Sequence, residues 1–112
     1  MSASGQINRI RGDTYADRFL AEVDGVAVDI TGCSFKLTLN TQRNPIDISN
    51  QVYQLTGIVT SPESGIVEFA PDSTQADLTG LFYYDIQMID GNGVKRTPVK
   101  DVYVYEEDIT KN

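Results

Sequence analysis

The stretch Cys33-Ser-Phe-Lys-Leu-Thr-Leu39 decides the fold class, because its apolar and polar residues alternate without exception. Alternation with a period of two places successive side chains on opposite faces of an extended backbone, which is the pattern of a half-buried β-strand. The apolar face holds Cys33, Phe35, Leu37 and Leu39. The chain has one cysteine, so no internal disulfide forms, and we expect this thiol to be buried like a small apolar side chain.

Short strand-like segments and turn signals continue on both sides of this stretch. Residues 81–90 alternate in the same way, with Tyr84 and Ile86 on the apolar face. The dipeptide Asp24-Gly25 is typical of a tight hairpin turn, and Pro98 indicates either a bulge in the last strand or a break of that strand into two pieces. Further strands are expected over residues 7–11, 14–23, 51–60, 66–69 and 94–105, with one helical turn over residues 71–78 and a loop over residues 40–50.

This succession of strands and turns predicts an all-β protein, specifically an immunoglobulin-like antiparallel β-sandwich of about seven strands. A small closed barrel is the alternative. The 112 residues suit one domain. We expect residues 1–6 to form a flexible N-terminal tail, because they are mostly small and polar, and residues 7–110 to form a single β-sandwich domain.

The charge of the chain restricts its partners. A formal net charge of -7 and an isoelectric point near 4.3 argue against binding to nucleic acid or to an anionic membrane surface, both of which require basic residues. The first residues lack the charged and apolar regions of a signal peptide, and no apolar run approaches the ~20 residues of a membrane span. We therefore expect a soluble protein made in a cytoplasm, with neither nucleic acid nor membrane as a partner.

The residue types present exclude most catalytic and metal-binding chemistry. The chain has no histidine, which excludes Ser-His-Asp and Cys-His nucleophile systems and the usual zinc sites. No Gly-rich phosphate-binding loop is present. The 16 Asp and Glu residues give many possible acid pairs, but no sequence feature marks one pair as catalytic. We expect no enzyme activity and no cofactor.

Two short motifs have both a functional and a structural interpretation. Asp90-Gly-Asn-Gly93 resembles part of a calcium loop, but the distal glutamate of such a loop is missing, and a hairpin turn explains the same residues. Arg11-Gly12-Asp13 spells a tripeptide that integrins read, and a turn between the first two strands explains it equally. We favour the turn in both cases.

Tyrosine is the residue type in this chain best suited to a contact surface, because it combines a large apolar ring with a polar hydroxyl. Three of the six tyrosines are expected on strand faces opposite the apolar rows, with ordinary outer-face positions as the alternative. The loop over residues 40–50 is long for a hairpin, and a short edge strand is expected at residues 46–48. The predicted contact surface combines the two elements: Arg43, Pro45, Ile48, Tyr83, Tyr103 and Tyr105.

Several segments, taken in order, resemble a known family: Arg11-Gly-Asp-Thr14, Val28-Asp-Ile-Thr-Gly32, Phe35-Lys-Leu37, Ser64-Gly-Ile-Val-Glu-Phe69, Leu78-Thr-Gly80, Tyr84-Asp-Ile86 and Asp108-Ile-Thr110. Together they resemble the N-terminal domain of phage baseplate upper proteins and related small tail proteins of tailed phages. The resemblance spans residues 7–110 and rests on the order and spacing of the segments, since each alone is short.

The resemblance implies an immunoglobulin-like sandwich that serves as a structural adaptor of a virion, made in the cytoplasm of the bacterial host. It implies other phage structural proteins as partners and a homo-oligomer within the baseplate or tail assembly. Longer members have a receptor-binding module after this domain; this sequence ends before one, so we expect docking, decoration or joining. The alternatives are a capsid decoration or head-associated protein, and a module that binds carbohydrate or a host factor.

Overall fold

Residues 5–110 are described by the computed structural model, and they form ten β-strands with no helix among them. The all-β class predicted from the alternation is therefore confirmed, with ten strands instead of about seven. The strands are β1 (Ile7–Ile10), β2 (Asp17–Leu20), β3 (Glu22–Val23), β4 (Val26–Ala27), β5 (Ser34–Asn40), β6 (Gln51–Thr56), β7 (Ile58–Ser61), β8 (Ile66–Phe69), β9 (Gly80–Ile89) and β10 (Lys95–Glu106).

Residues 1–4 of the expected N-terminal tail lie outside the described residues. Gly5, the next residue, is hydrogen-bonded at both of its backbone groups. Its carbonyl oxygen accepts from the hydroxyl of Tyr84 at 2.8 Å, and its N–H donates to Asp101 Oδ2 at 3.2 Å. The chain is thus attached to the sheet two residues before β1 begins.

The strands form two principal sheets and one small hairpin. The five-stranded sheet has the order β1-β10-β9-β5-β6, the three-stranded sheet has the order β2-β8-β7, and β3 pairs with β4. All neighbours are antiparallel except β1 and β10, which run parallel with Ile7 beside Tyr103. The first and last strands of the domain therefore lie side by side in one sheet.

The core lies between the inner faces of the two principal sheets. The rings of Phe19 on β2 and Phe35 on β5 meet with their centroids 6.2 Å apart. The apolar row of β5 is confirmed, since Phe35, Leu37 and Leu39 are buried, while Cys33 just before the strand is half-buried. Each large apolar side chain that is fully buried stabilises the fold by roughly 1.5–3 kcal/mol.

Gly57 marks the place where the chain passes from one sheet to the other. The single strand expected over residues 51–60 is divided there into β6 and β7, which belong to different sheets. A Cβ atom at Gly57 would lie 2.7 Å from Val67 Cγ2 and 2.9 Å from Phe35 Cβ, so no side chain fits at this crossing. The Gly57 N–H donates to the carbonyl of Phe35 at 2.8 Å, which fixes the crossing point against β5.

The predicted turn at Asp24-Gly25 and the predicted bulge at Pro98 are both confirmed. Asp24 and Gly25 have φ values of 52° and 80°, as a type I′ turn requires, and they join β3 to β4. The pairing of β10 with β9 shifts register between Arg96 and Val99. Proline has no N–H to donate to a neighbouring strand, which explains the shift.

Residues 71–78 form a turn and not a helix. Asp72 and Gln75 exchange two hydrogen bonds, in which each backbone N–H donates to the other side chain, at 2.9 and 2.8 Å. The Ala76 N–H then donates to the carbonyl of Asp72 at 2.9 Å, and Ala76 is buried. The single helical turn expected over residues 71–78 is therefore present, and Asp72 caps it.

Candidate functional site

The loop of residues 41–50, called loop 41–50 below, joins β5 to β6, and all of its residues are exposed. The edge strand expected at residues 46–48 is wrong, because the loop is irregular throughout. Local hydrogen bonds order it instead: Asn40 Oδ1 accepts from the N–H of Gln42 at 2.8 Å, and Asp47 Oδ1 accepts from that of Ser49 at 2.9 Å. Such side-chain turns hold a loop in place without strand pairing.

Loop 41–50 folds over the outer face of the five-stranded sheet. Lys100 Nζ on β10 donates to Asn44 Oδ1 at 2.7 Å. A pocket of about 280 Å³ lies between the loop and the sheet. Four of the six residues predicted for the contact surface line this pocket: Arg43, Pro45, Ile48 and Tyr83.

The charges around this pocket are mixed. Arg43 and Lys100 line it together with Asp47 and Asp85. Asp85 lies opposite Lys100 on the neighbouring strand, and burial raises the pKa of its carboxyl, an effect that the charge of Lys100 partly offsets. A pocket with two charges of each sign selects neither anions nor cations by its net charge, so it suits a mixed polar and apolar surface of a partner.

Two isoleucines of the loop project into solvent. Ile46 is 95% exposed and Ile48 is 79% exposed. Exposed apolar side chains grouped on one ordered segment are typical of a protein-contact surface, because contact with a partner removes them from water. The loop therefore offers apolar contact atoms beside a pocket with polar walls.

Tyr103 and Tyr105 do not belong to this surface. They are 0% and 2% exposed, so the prediction that they lie on an outer strand face is wrong. The hydroxyl of Tyr103 donates to Asp17 Oδ2, and the hydroxyls of Tyr105 and Tyr53 are 2.8 Å apart. Tyrosines can face the core when their hydroxyls have such partners. Val102 and Val104, which alternate with these tyrosines along β10, therefore lie on the outer face of the sheet.

Arg9 is a charged residue of the core whose burial was not expected from the sequence. Its side chain is fully buried, and Nη1 donates to Asp17 Oδ1 at 2.8 Å. The guanidinium also donates to the carbonyls of Asp13 and Tyr15, and its Cζ lies 4.1 Å from the ring centre of Tyr15. Because Arg9 is on β1 and Asp17 is on β2, this pair joins the two principal sheets.

The sequence contained a signal for this pair. Arg9 falls on the same strand face as Ile7, and Asp17 interrupts the alternation of residues 14–23. Burial raises the pKa of the Asp17 carboxyl, while the hydrogen bond from Tyr103 and the charge of Arg9 act in the opposite direction. A charged residue at an inward position of each of two strands predicts a buried pair.

The buried tyrosines give the fold a dependence on alkaline pH. Burial raises the pKa of Tyr84 to about 12, and it also raises those of Tyr53, Tyr103 and Tyr105. A raised folded-state pKa contributes stability that is fully present below the unfolded pKa of about 10 and lost as pH rises through the folded value.

We therefore expect the free energy of unfolding in urea to fall steeply between about pH 10 and pH 12. A phenolate absorbance titration, followed in parallel with circular dichroism, should show these tyrosines ionising together with unfolding. Stability that stays constant over this interval would contradict the burial of the hydroxyls.

The two short motifs form structural turns. Arg11 Nε pairs with Asp77 Oδ1 at 2.7 Å, so the guanidinium of the Arg11-Gly12-Asp13 sequence is already engaged. Asp90 Oδ1 accepts from the N–H groups of Asn92 and Val94 at 2.9 and 3.0 Å, which closes the β9–β10 hairpin. Within residues 5–110, no group of three or more His, Cys, Asp or Glu side chains is arranged to hold a metal ion.

A second and larger cleft lies between the two sheets beside β1 and β2. Its volume is about 550 Å³, and its lining includes core side chains such as Leu37 and Phe69 together with Asp17. None of the six residues predicted for the contact surface lines it. We interpret it as the open side of the core and place the candidate site at loop 41–50.

The comparison with known proteins identifies the fold class to which the chain is similar. The sequence matches no protein-family model and no curated relative. CopC from Methylosinus trichosporium OB3b superposes with a TM-score of 0.55 at 7% identity, covering 96% of this chain and 89% of that one. The N-terminal domain of phage TP901-1 ORF48 superposes with a TM-score of 0.56 at 11% identity, covering 91% of this chain and 85% of that one. At such low identity, the two superpositions show a shared fold alone.

The residues from Gly5 to Thr110 include no helix of the length and apolarity needed to cross a bilayer.

Proposed function

We propose that the chain is a non-enzymatic structural protein of a tailed-phage particle, acting as an adaptor or accessory component of the baseplate or tail. The observation that supports this most directly is its similarity in fold to the N-terminal domain of phage TP901-1 ORF48. The order and spacing of the turn motifs within residues 7–110, which resemble those of small phage tail proteins, agree with this proposal. Other structural proteins of the particle are the proposed partners, and the virion is the proposed location.

The proposed fold is an immunoglobulin-like sandwich of variable type. In that type, extra strands enlarge one of the two sheets, and the smaller sheet packs against the enlarged one. The orders β1-β10-β9-β5-β6 and β2-β8-β7 correspond to this arrangement. The connection between β5 and β6, loop 41–50, has ten residues and all of them are exposed, which leaves that loop available for contacts with partners.

The proposed docking surface is loop 41–50 with Tyr83. Ile48 supplies exposed apolar area, and Arg43 supplies a guanidinium at the edge of the pocket. Arginine and aromatic residues are enriched at the energetic centres of interfaces, and truncation of one such residue usually weakens binding by more than about 1 kcal/mol. The loop is ordered before binding, so docking requires little loss of conformational freedom.

We expect the double substitution Arg43→Glu with Ile48→Asp to reduce incorporation into particles about tenfold or more, because each change removes about 1 kcal/mol or more of contact energy. The measurement is quantitative mass spectrometry of purified particles, with the copy number normalised to the major tail and capsid proteins. All residues of loop 41–50 are exposed, so the urea midpoint of the variant should be unchanged.

The matched control is Arg96→Glu with Ile58→Asp. Both residues are exposed, and neither lines the pocket nor belongs to loop 41–50. Incorporation equal to the unmodified protein is expected for the control. A chain absent from particles would refute the proposed function, whereas equal incorporation of both variants would refute only the docking surface.

A further inference from the structure

The outward-facing residues of β10 form a row with a basic residue at one end and an acidic residue at the other. Two copies of this row that run in opposite directions are therefore complementary in charge. Val99, Tyr103 and Tyr105 face the core, so the even-numbered residues from 100 to 106 face outward. Read along the strand, the outward residues are a base, two apolar residues and an acid: Lys100, Val102, Val104 and Glu106. When a second copy of the row runs in the opposite direction, its acidic end lies at the basic end of the first copy.

The neighbouring strand extends this row into an apolar patch. In the β9–β10 register, Leu81 is beside Val104 and Tyr83 is beside Val102. Leu81 is 55% exposed, and both valines are partly exposed. These four residues, Leu81, Tyr83, Val102 and Val104, are called the outer patch below.

We propose that the outer patch is the contact surface between two copies of this chain. The copies would pack face to face around a two-fold axis that lies between the sheets and runs across the strands. A two-fold contact brings the same surface of both copies together, so it must be self-complementary. Aligned packing of two sheets needs apolar side chains on both facing surfaces, as the outer patch provides.

The charges select this orientation. With the axis across the strands, Lys100 meets the partner's Glu106, and Val102 meets the partner's Val104. With the axis along the strands and the rows in register, Lys100 would instead meet the partner's Lys100, and like charges opposite each other oppose binding. The reversed order of the row therefore favours one dimer over the other.

Loop 41–50 lies over one end of this surface, beside Tyr83 and Lys100. Lys100 donates to Asn44, so the loop stands over the Lys100 end of the row. Because β10 of the two copies runs in opposite directions, the loop of each copy lies near Leu81 of the other copy. The exposed isoleucines of the loop then lie at the margin of the shared surface.

The first test is the mass of the purified chain in solution, measured by sedimentation equilibrium over a range of concentrations. We expect a reversible dimer. Leu81→Asp and Val104→Asp should each weaken it about tenfold or more, because each places a charge in an apolar contact. The control is Ile58→Asp, which changes an exposed apolar residue of the three-stranded sheet and should leave the dimer unchanged.

The second test exchanges charges between the ends of the row. Lys100→Glu and Glu106→Lys should each weaken the dimer, because each creates two repulsive contacts. An equal mixture of the two single variants should form a heterodimer, since the acidic end introduced in one variant then meets the basic end introduced in the other. The double variant should recover a homodimer for the same reason. Lys100→Glu also removes the hydrogen bond to Asn44, whereas Glu106→Lys does not.

A chain that stays monomeric at millimolar concentration would overturn the proposal. So would a dimer that is indifferent to Leu81→Asp and Val104→Asp, or single charge variants that do not associate when mixed. The inference concerns the isolated chain and goes beyond the proposed function. A monomeric chain that is still incorporated into particles would refute the dimer and leave the adaptor role intact.

Discussion

Replacing Arg9 by methionine should lower the free energy of unfolding by about 3–5 kcal/mol at neutral pH, because it leaves the buried Asp17 carboxylate without its counter-charge. In the folded protein the guanidinium also donates to the carbonyls of Asp13 and Tyr15. Methionine has a comparable length and no donor, so all of these acceptors lose their partner together. Urea denaturation followed by circular dichroism measures the change.

The loss should be smaller in acid. Without Arg9, desolvation raises the folded-state pKa of Asp17 further above its unfolded value, about 3.9. The protonated carboxyl stabilises the variant fully below that value, and this stability is lost as pH rises through the folded pKa. The deficit relative to the unmodified protein should therefore be greater at about pH 7 than at about pH 4.

The matched control is Arg18→Met, which removes an arginine on β2 whose side chain is largely exposed and lies 3.9 Å from Glu68. A surface pair of this kind contributes about 0–1 kcal/mol. If Arg9→Met destabilises the protein no more than Arg18→Met does, the buried pair does not hold the two sheets together.

Replacing Gly65 by alanine should lower the free energy of unfolding by about 3 kcal/mol or more, from steric overlap and an unfavourable backbone angle combined. Gly65 has φ of 72°, and a Cβ there would lie 2.6 Å from the carbonyl oxygen of Ala21 and 2.8 Å from that of Val28. Both obstacles are backbone atoms, which cannot rotate away as a side chain would. The Gly65 carbonyl also accepts from the Ala21 N–H at 2.8 Å, so a shift would break that bond.

Gly32→Ala separates the two causes. Gly32 has φ of 81° but nothing within 4 Å of its Cβ position, so its substitution tests the backbone angle alone. A loss of about 1 kcal/mol is expected there. Equal losses in thermal or urea unfolding at the two positions would show that the overlap at Gly65 is relieved elsewhere in the structure.

Local patterns were sufficient to predict the strands with one buried face. The rows of β5 and β9 alternate cleanly because their outward positions are polar, such as Lys36 and Asp85. The turn at Asp24-Gly25 and the bulge at Pro98 were predictable for the same reason, since the backbone restrictions of those residues act locally.

The orientation of β10 could not be deduced in this way. Both of its faces are apolar, one with Val102 and Val104 and the other with Tyr103 and Tyr105. The choice depends on hydroxyl partners from distant strands, Asp17 and Tyr53, which a local pattern does not contain. The alternating rule that was right for β5 and β9 therefore assigned the wrong face of β10 to the core.

The division of residues 51–60 depends equally on distant atoms. Val and Ile continue through this segment, so the sequence pattern is that of one strand. The reason for the crossing at Gly57 is its contact with Phe35 and Val67, far away in sequence. The parallel pairing of β1 with β10 is likewise a consequence of tertiary packing.

The candidate site was predicted in part. Four of the six proposed residues, including Arg43 and Tyr83, line one pocket, because a long polar loop beside an outward-facing tyrosine is a local feature. The hydrogen bond between Lys100 and Asn44, which brings loop and sheet together, spans 56 positions and has no local signature.

The parallel pairing of the first and last strands has a mechanical consequence. Gly5 leads into β1 beside Asp101, and the chain leaves β10 beside Ile10, so a tensile load on the two ends pulls β1 and β10 in opposite directions along their common axis. The hydrogen bonds between them then bear the force together in shear instead of opening one after another. A domain connected in this way resists tension on its first and last strands because all of these hydrogen bonds must break at once.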